Sequence, residues 1–361
     1  MDKARAKSAI RSGLRRYPRL GALVDRRQPL GPTAAEVELE SVSEQLAEQL
    51  AESRRDADEL RGRAGWLAER VDELEKARIA VGMFPPGHYY SPIPAEERWR
   101  PRLRDLRGVA TPGVDLATDH QLSRLDELAP FLADASFPRR AEEAAARGFR
   151  YHLDNDFFGA RDGLLLHAML RQEPPKRVIE VGSGFSSAMM LDTDERHLGS
   201  ATEFTFIEPY PDRLHRLLRD SDRSRGRIRI VEETVQAVPD RVFSELEAGD
   251  ILFIDSSHVV STGGDVNRLL LELVPALPAG VRVHVHDIFW PFDYPEVWLE
   301  EGRFWSETYL LHALLIGNRA LSVDVFTSYL FWTQHDEVAR RAPAWHAIGS
   351  SGVSIWLRTR D

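Results

Sequence analysis

The sequence contains no cysteine among its 361 residues. That absence excludes a disulfide framework, a cysteine nucleophile and any metal site built on thiolate ligands. The sequence also lacks an apolar run of the roughly 18–20 residues that a membrane helix needs. The N-terminus is basic but has no apolar core followed by a small-residue cleavage site, which is the pattern of a secretory signal. We therefore expect a cytoplasmic protein without a transmembrane segment.

Negative charge exceeds positive charge over the whole chain but not at the N-terminus. The formal net charge is −10, so the chain as a whole has no general attraction for nucleic acid, and we expect no nucleic-acid partner. Residues 1–27 nevertheless hold nine Lys or Arg side chains against two aspartates. A basic arm over residues 1–33 is suited to peripheral contact with acidic lipid or a phosphate-rich partner. The alternative is an ordinary solvated terminus.

Apolar residues recur at heptad spacing over residues 39–81. One repeat position carries, in chain order, Leu39, Leu46, Leu60, Leu67, Leu74 and Val81, and the other carries Leu50, Ala57, Ala64 and Val71. A repeat of this kind keeps one seam of a helix facing a partner helix. The pattern predicts a coiled coil over residues 34–82 that forms a homo-oligomer, or else a long helix folded back on its own domain.

The remaining chain divides into two parts. Residues 83–150 begin with six prolines in 36 residues, which prevent long regular structure, and continue with a polar helical stretch. We interpret them as a proline-rich connector and a helical lid. Residues 151–361 carry short apolar runs that alternate with helical stretches, the pattern of βαβ units around a buried sheet. The predicted strands are Arg177–Val181, Glu203–Glu208, Arg227–Val231, Asp250–Asp255, Val281–Asp287, Leu321–Tyr329 and Gly352–Thr359.

The segment Arg177–Ser187 is typical of a strand, a glycine turn and a helix start. Gly182 permits a tight turn, and Gly184 lets the backbone approach a ligand without a Cβ in the way. Ser186 or Ser187 then caps the following helix. In a parallel sheet this first turn lies at the edge where ligands bind.

Two acidic residues distinguish this turn from a dinucleotide-binding turn. Glu180 lies two residues before Gly182, where a carboxylate suits a cationic ligand and would work poorly beside a pyrophosphate. Ser187 stands where a third glycine would be expected. Glu208 ends the next predicted strand, 24 residues after Gly184, where a carboxylate can accept both hydroxyls of a ribose. The alternatives are a buried salt bridge for Glu180 and a helix-capping role for Glu208.

The run V-I-E-V-G-S-G, followed by F-I-E-P, resembles the first two motifs of class I S-adenosylmethionine-dependent methyltransferases. The resemblance implies a Rossmann-like, doubly wound α/β fold with a seven-stranded, mostly parallel sheet, and S-adenosylmethionine as cofactor. Glu180 would lie by the methionine end of the cofactor and Glu208 would hold its ribose, while Glu233 and Gln236 are alternatives near the adenine. The residues expected at the cofactor are Glu180, Gly182, Ser183, Gly184, Phe185, Ser186, Glu208, Pro209 and Asp255.

Polar residues also follow the next two predicted strands. Asp255 ends one strand and His258 lies three residues on, while His286 and Asp287 end the other. The carboxyl ends of strands in an open α/β sheet converge on one crevice. Histidine can take a proton from a hydroxyl nucleophile because its unperturbed pKa is about 6.5. We therefore predict His258 as general base, with Asp255 and Asp287 as further catalytic residues.

The same strand ends offer ligands for a divalent cation. We consider a site formed by Asp255, His286 and Asp287, which would lower the pKa of a substrate hydroxyl. The alternative for His286 is a hydrogen-bonded residue that braces the sheet, and for His258 a helix-capping or surface residue.

Residues 150–332 resemble a bacterial branch of the class, methyltransferase domain family twenty-four, through D-x-x-H, then G-D-V, then H-D-I-F-x-P-F-x-Y-P. Some related sugar and macrolide O-methyltransferases hold magnesium with acids at these strand ends and use a histidine like His258 as base. This sequence departs from them at His286, where they carry a carboxylate. Imidazole suits zinc, iron or manganese better than magnesium.

We predict an S-adenosylmethionine-dependent O-methyltransferase that acts on a hydroxylated small molecule or glycan. An aromatic wall from Trp290, Phe292, Tyr294 and Trp298 would suit sugars and aromatic rings alike. One alternative is a nicotinamide oxidoreductase, which Glu180 and the missing third glycine oppose. The other is a non-catalytic scaffold with a vestigial methyltransferase domain, which the intact motif residues oppose.

Overall fold

The computed structural model describes residues 34–80, 84–104, 106, 109–224, 226–349 and 352–361. The basic arm expected over residues 1–33 lies outside the described residues. The chain forms two compact units, residues 1–85 and residues 86–361. Within the described parts we find no helix with both the length and the apolar character that crossing a bilayer requires.

The first unit contains one long helix, α1 (Ala34–Ala80). Its 47 residues cover the heptad segment almost entirely, so the helix predicted there is confirmed. The leucines of the repeat are exposed, with 71% of Leu39, 60% of Leu46 and 64% of Leu60 accessible. Association of this seam with another helix stays a prediction.

The second unit is built on a seven-stranded sheet. Its strands are β1 (Arg177–Val181), β2 (Glu203–Ile207), β3 (Ile228–Val231), β4 (Ile251–Ile254), β5 (Arg282–Val285), β6 (Leu321–Phe326) and β7 (Ile355–Thr359). They are ordered β3-β2-β1-β4-β5-β7-β6, with β1 to β5 parallel and β7 antiparallel to both β5 and β6. The expectation of a doubly wound, mostly parallel seven-stranded sheet is confirmed, and each predicted strand is present.

Helices pack around this sheet. They are α2 (Glu96–Arg104), α3 (Thr118–Asp134), α4 (Ala141–Arg147), α5 (Ala160–Gln172), α6 (Phe185–His197), α7 (Asp212–Leu217), α8 (Asp220–Ser224), α9 (Asp240–Phe243), α10 (Asp265–Asn267), α11 (Glu296–Glu300), α12 (Glu307–Leu315), α13 (Thr327–Thr333), α14 (His335–Arg341) and α15 (Pro343–His346). A π-helical turn, Arg268–Leu273, and a 3-10 turn, Val274–Ala276, extend α10.

The central strands are buried on both faces because helices cover both faces of a parallel sheet. All four residues of β4 are buried, and so are all four of β5, although β5 carries Arg282 and His284. The His284 ring stacks on Phe253 at a centroid distance of 3.8 Å, and burial holds its pKa well below the ordinary value. His284 is therefore a neutral component of the core.

Helix α3 lies before residue 151, where we expect the domain boundary, and it packs on the sheet domain. Leu125, Leu128 and Leu132 of α3 are buried in the same core cluster as the sheet. Helix α3 packs on α5 because its apolar residues recur every three or four positions along one face. The division of residues 83–361 into a connector with a lid and a separate domain stays a prediction. Within the proline-rich connector, α2 forms despite Pro101.

A buried ion-pair network attaches the segment after α4 to α6. The Arg150 guanidinium donates to Asp192 at 2.8 Å and to Asp222 at 2.6 Å, and all three side chains are at most 2% exposed. Asp192 also accepts the backbone N–H groups of Arg150 and Tyr151. This network holds the start of the segment that runs on to Asn155–Phe158 beside the sheet edge.

We expect Arg150→Ala to lower the free energy of unfolding by about 3–5 kcal/mol, because it leaves two buried carboxylates without their cation. Arg340→Ala is the control, since Arg340 pairs with Glu337 on the surface with 61% of its side chain exposed. That variant should lose about 1 kcal/mol or less. Urea denaturation measures both. Equal losses in the two variants would contradict the role assigned to the network.

Candidate active site

The turn after β1 lies directly against the end of β4. Gly182 has φ +84°, and a Cβ there would come within 1.7 Å of the carbonyl oxygen of Asp255. The Asp255 N–H donates to the Val181 carbonyl at 2.9 Å. Only glycine fits this turn, because any side chain would meet a backbone atom that cannot move aside.

Helix α6 begins where the turn ends. Gly184 is the N-cap, so the prediction that Ser186 or Ser187 caps the helix is wrong, because both serines lie within its first turn. Ser187 Oγ instead accepts the Gly184 N–H at 3.0 Å. Glu208, at the end of β2, accepts the Ser183 N–H at 3.1 Å and the Tyr210 N–H at 2.8 Å. The carboxylate of Glu208 thereby holds the turns after β1 and β2 together while it lines the space between them.

Two adjoining cavities run along this edge of the sheet. They have volumes of about 400 Å³ and 360 Å³, and they share Gly182, Glu208, Asp255, Ser256 and Ser257 as lining residues. We call them together the cleft. All the residues predicted at the cofactor line the cleft except Glu180. Of the two adenine candidates, Gln236 lines it, and Glu233 is absent from its described lining.

Glu180 lies beneath the cleft and not in it. Its side chain is fully buried, and its carboxyl group accepts hydrogen bonds from Ser186 Oγ at 2.5 Å and from Ser187 Oγ. Burial raises the pKa of Glu180 to about 8, so the group is mostly neutral near pH 7. The contact with a cationic ligand that we expected for Glu180 stays a prediction. In the structure, Glu180 braces the start of α6 through the two serines.

A second group of polar side chains lies at the far end of the cleft. Ligand-forming atoms of Asp255, His258 and Asp287 all lie within 4.8 Å of one another. His258 Nε2 is 3.4 Å from Asp255 Oδ1 and 3.5 Å from Asp287 Oδ2. We call these three residues the Asp–His–Asp group. The three residues predicted as catalytic are thus brought together.

The cation site expected from Asp255, His286 and Asp287 is not formed as predicted. His286 Nε2 is 3.7 Å from Asp287 Oδ1, but His286 is not a member of the group within 4.8 Å, and His258 takes its place. His286 is 4% exposed, and its Nδ1 has no hydrogen-bond partner among the described residues. Both residues follow the last residue of β5, and the left-handed conformation of Asp287, with φ +58°, ends the extended backbone there.

Glu307 is a site residue that the sequence analysis missed. It is the first residue of α12 and is fully buried, and its Oε2 accepts a hydrogen bond from His258 Nδ1 at 2.8 Å. Burial alone would lower the pKa of His258, but the hydrogen bonds to Asp255 and Glu307 raise it well above the ordinary value. Because Nδ1 is hydrogen-bonded to Glu307, Nε2 is the nitrogen that faces the two aspartates. No motif connects residues 258 and 307, so only the tertiary structure reveals this pair.

Two residues of the Asp–His–Asp group have left-handed backbone conformations. His258 has φ +61° and Asp287 has φ +58°. Such conformations in residues other than glycine cost about 1–3 kcal/mol and cluster at functional sites. The backbone N–H groups of Ser306 and Glu307 both donate to the His258 carbonyl, at 2.9 and 3.1 Å, which stabilises the conformation there.

A third cavity, of about 640 Å³, adjoins the cleft and shares Asp156, Phe157 and Asp287 with it. Trp290 and Trp298 line this cavity, as expected for an aromatic wall. Phe292 and Tyr294, which we expected there too, are 2% and 1% exposed and lie in the core behind it.

Comparison with known proteins gives a sequence match over the centre of the chain. Residues 179–288 match a family model described as a methyltransferase domain. An uncharacterized protein of Archaeoglobus fulgidus is 31% identical over 173 residues, which cover 46% of this chain and 74% of that protein.

Solved structures with similar folds are more distant. A methyltransferase of Podospora anserina, crystallised with S-adenosylhomocysteine, is 14% identical with a TM-score of 0.37, and the match covers 78% of this chain and 100% of that chain. The O-methyltransferase TomG of Streptomyces achromogenes, crystallised with S-adenosylmethionine, is 13% identical with a TM-score of 0.39, over 67% of this chain and 99% of that chain.

We expect Gly182→Ala to lower the free energy of unfolding by about 3 kcal/mol, because the new Cβ meets the Asp255 backbone and the left-handed conformation is strained. Gly199→Ala is the control, since Gly199 has φ +69° with no atom within 4 Å of the added Cβ. That variant should lose only about 1 kcal/mol from the backbone conformation. If urea denaturation gives the two variants the same loss, the close approach to Asp255 does not restrict position 182.

Proposed function

Since the chain belongs to the methyltransferase domain family whose model matches residues 179–288, we propose that it transfers a methyl group from S-adenosylmethionine to an oxygen of a small-molecule acceptor. The observation that carries the proposal is the continuity of the cleft. Its glycine-lined end at Gly182 and Glu208 runs into the Asp–His–Asp group, with Asp255 common to both parts.

The cofactor would lie along the cleft. Glu208 lines both of its cavities and is suited to accept the ribose hydroxyls, and Gln236 lies at the end suited to the adenine. The turn at Gly182–Gly184 leaves room for the methionine part, because neither glycine places a side chain in that space. The methyl group would then point toward the Asp–His–Asp group, since that group closes the other end of the cleft.

His258 is the proposed general base. Its Nε2 would accept the proton of the acceptor hydroxyl as the oxygen attacks the methyl carbon in line with the departing sulfur. Glu307 keeps the other ring proton on Nδ1 and stabilises the imidazolium that forms, because its carboxylate is buried against the ring. Trp305 covers the ring, with centroids 4.4 Å apart, and limits the access of water.

The Asp–His–Asp group also fits a divalent cation. The carboxylates of Asp255 and Asp287 would hold the ion, because carboxylate oxygens are donors that such ions use and these lie within 4.8 Å of each other. His258 Nε2 would stay free to act as the base. Bound there, it would lower the pKa of an acceptor hydroxyl and offset the carboxylate charge that raises the pKa of His258.

We expect the purified protein to bind S-adenosylhomocysteine and not NADH in calorimetric titrations, and to add one methyl group to members of a panel of hydroxylated compounds, followed by mass spectrometry. His258→Ala should lower kcat by about 10²–10⁴-fold and leave S-adenosylhomocysteine binding unchanged. Glu307→Gln should lower kcat by about 10-fold or more, because the amide cannot stabilise the imidazolium.

His335→Ala is the matched control, since the His335 side chain is 61% exposed and belongs to none of the cavities described above. It should keep full activity. If His258→Ala keeps its activity, His258 is not the general base. If the protein binds NADH in place of S-adenosylhomocysteine, the whole proposal is wrong.

We also propose that α1 joins two or more copies of this chain. The support is the heptad spacing together with the exposed leucines, an apolar seam of the kind that coiled coils bury. The double variant Leu46→Lys with Leu60→Lys should lower the molar mass measured by light scattering to that of one chain. Ser41→Lys with Gly62→Lys, which adds the same charge on the opposite side of the helix, should not. A wild-type protein with the mass of one chain would refute this proposal.

A further inference from the structure

Six of the 18 residues that line the third cavity are phenylalanine or tryptophan. The six that line it are Phe157, Phe289, Trp290, Trp298, Phe331 and Trp332. Trp332 is 56% exposed and Phe157 is 53% exposed, although both are large apolar side chains. Rings that stay accessible around a concave space are typical of a pocket that binds a small molecule.

Most polar side chains of this cavity are already bonded within the protein. Asn155 donates to the carbonyl groups of His152 and Phe158 and accepts the N–H groups of Phe157 and Phe158. Ser328 accepts the Trp290 N–H at 2.8 Å and donates to the Ile288 carbonyl. Neither side chain has enough free donors and acceptors left to bind the many hydroxyl groups of a sugar.

The two charged side chains beside them are engaged as well. Asp162 accepts the Val353 N–H at 2.9 Å together with the hydroxyl groups of Thr327 and Ser354. The Arg161 guanidinium lies over the Phe331 ring at 3.5 Å and donates to the Ile348 carbonyl. A glycan bound here would lose hydrogen bonds to water without replacing them, and each such loss is costly.

Side-chain atoms that can still form hydrogen bonds remain at the end of the cavity that meets the cleft. His286 lines the cavity there, is 4% exposed and has an Nδ1 atom without a hydrogen-bond partner. Asp287 lines both the cavity and the cleft. A hydroxyl group at this end would contact His286 and lie beside the Asp–His–Asp group.

The lining of the third cavity has more negative than positive side chains. It carries three carboxylates, on Asp156, Asp162 and Asp287, against the one guanidinium of Arg161. An anionic ligand would therefore be repelled, because three carboxylates face it against a single guanidinium.

We propose that the third cavity is the acceptor site and that it takes a neutral, mainly apolar ring compound with a hydroxyl group at one end, and not a glycan or an anionic compound. This inference rests on the proposed function for the identity of the reaction. His286 is then a positioning residue for the acceptor hydroxyl, and the aromatic rings hold the apolar body.

The probes are 2-naphthol, 2-naphthoate and methyl β-D-glucopyranoside, each titrated calorimetrically into the full-length protein with S-adenosylhomocysteine present. We expect saturable binding of 2-naphthol, binding of 2-naphthoate at least about 10-fold weaker, and no binding of the glucoside at the same concentrations. Trp332→Ala should weaken 2-naphthol binding about three- to tenfold, and Trp332→Phe should restore most of it, because an aromatic ring is what the site requires.

Tyr89→Ala is the control for general surface effects, since Tyr89 is 69% exposed and lines none of the three cavities. It should leave 2-naphthol binding unchanged. Tighter binding of the glucoside or of 2-naphthoate than of 2-naphthol would overturn the inference, and so would equal effects of Trp332→Ala and Tyr89→Ala. Titration of S-adenosylhomocysteine alone reports separately on the proposed function. If that titration fails while 2-naphthol still binds in a Trp332-dependent way, the proposed function fails and the ring site stands.

Discussion

The backbone hydrogen bonds just beyond the ends of the parallel strands are the constraint on which the site depends. Gly182 donates to the Ile207 carbonyl, Asp255 to the Val181 carbonyl and His286 to the Ile254 carbonyl, at 2.9–3.0 Å. Each bond continues a strand ladder by one residue, so the loops leave the sheet in register with one another. The turn after β1 and the carboxylate after β4 are consequently adjacent, and the glycine at 182 is required because that approach leaves no space for a side chain.

The carboxyl groups at this edge of the sheet differ in burial and in hydrogen-bond partners, and therefore in what they can do. Glu180 is buried against α6, where two serine hydroxyls donate hydrogen bonds to it. Its raised pKa keeps the carboxyl group mostly neutral, so its role is structural. Glu307 is equally buried, and burial raises its pKa too, but its hydrogen bond to the His258 ring opposes that rise. Glu208 keeps part of its surface in the cleft and links two turns. Because their neighbours differ, these chemically similar side chains are suited, under the proposed function, to structure, to base orientation and to ligand contact.

The cleft and the third cavity meet at Asp287, and this junction is where the chemistry would take place. A cofactor in the cleft and a ring compound in the cavity would approach each other there, with the Asp–His–Asp group between them. The left-handed conformations of His258 and Asp287 show that the backbone is held away from its preferred geometry at this junction. Such strain persists only where surrounding contacts fix it, as the two hydrogen bonds to the His258 carbonyl do here.

The sequence by itself determined the features that depend on local pattern. Alternation of apolar runs and helical stretches predicted the seven strands, heptad spacing predicted α1, and the glycine turn with its following acids located the cleft, because periodicity and turn chemistry act over short stretches of chain. Tertiary structure alone decided which side chains meet. It placed Glu180 under the cleft, joined Glu307 to His258 across 49 residues, set His258 and not His286 between the two aspartates, and buried Phe292 and Tyr294 behind the wall that Trp290 and Trp298 form. These outcomes depend on the direction in which each side chain leaves its strand or loop and on what packs against it, and neither is encoded in the spacing of residues along the chain.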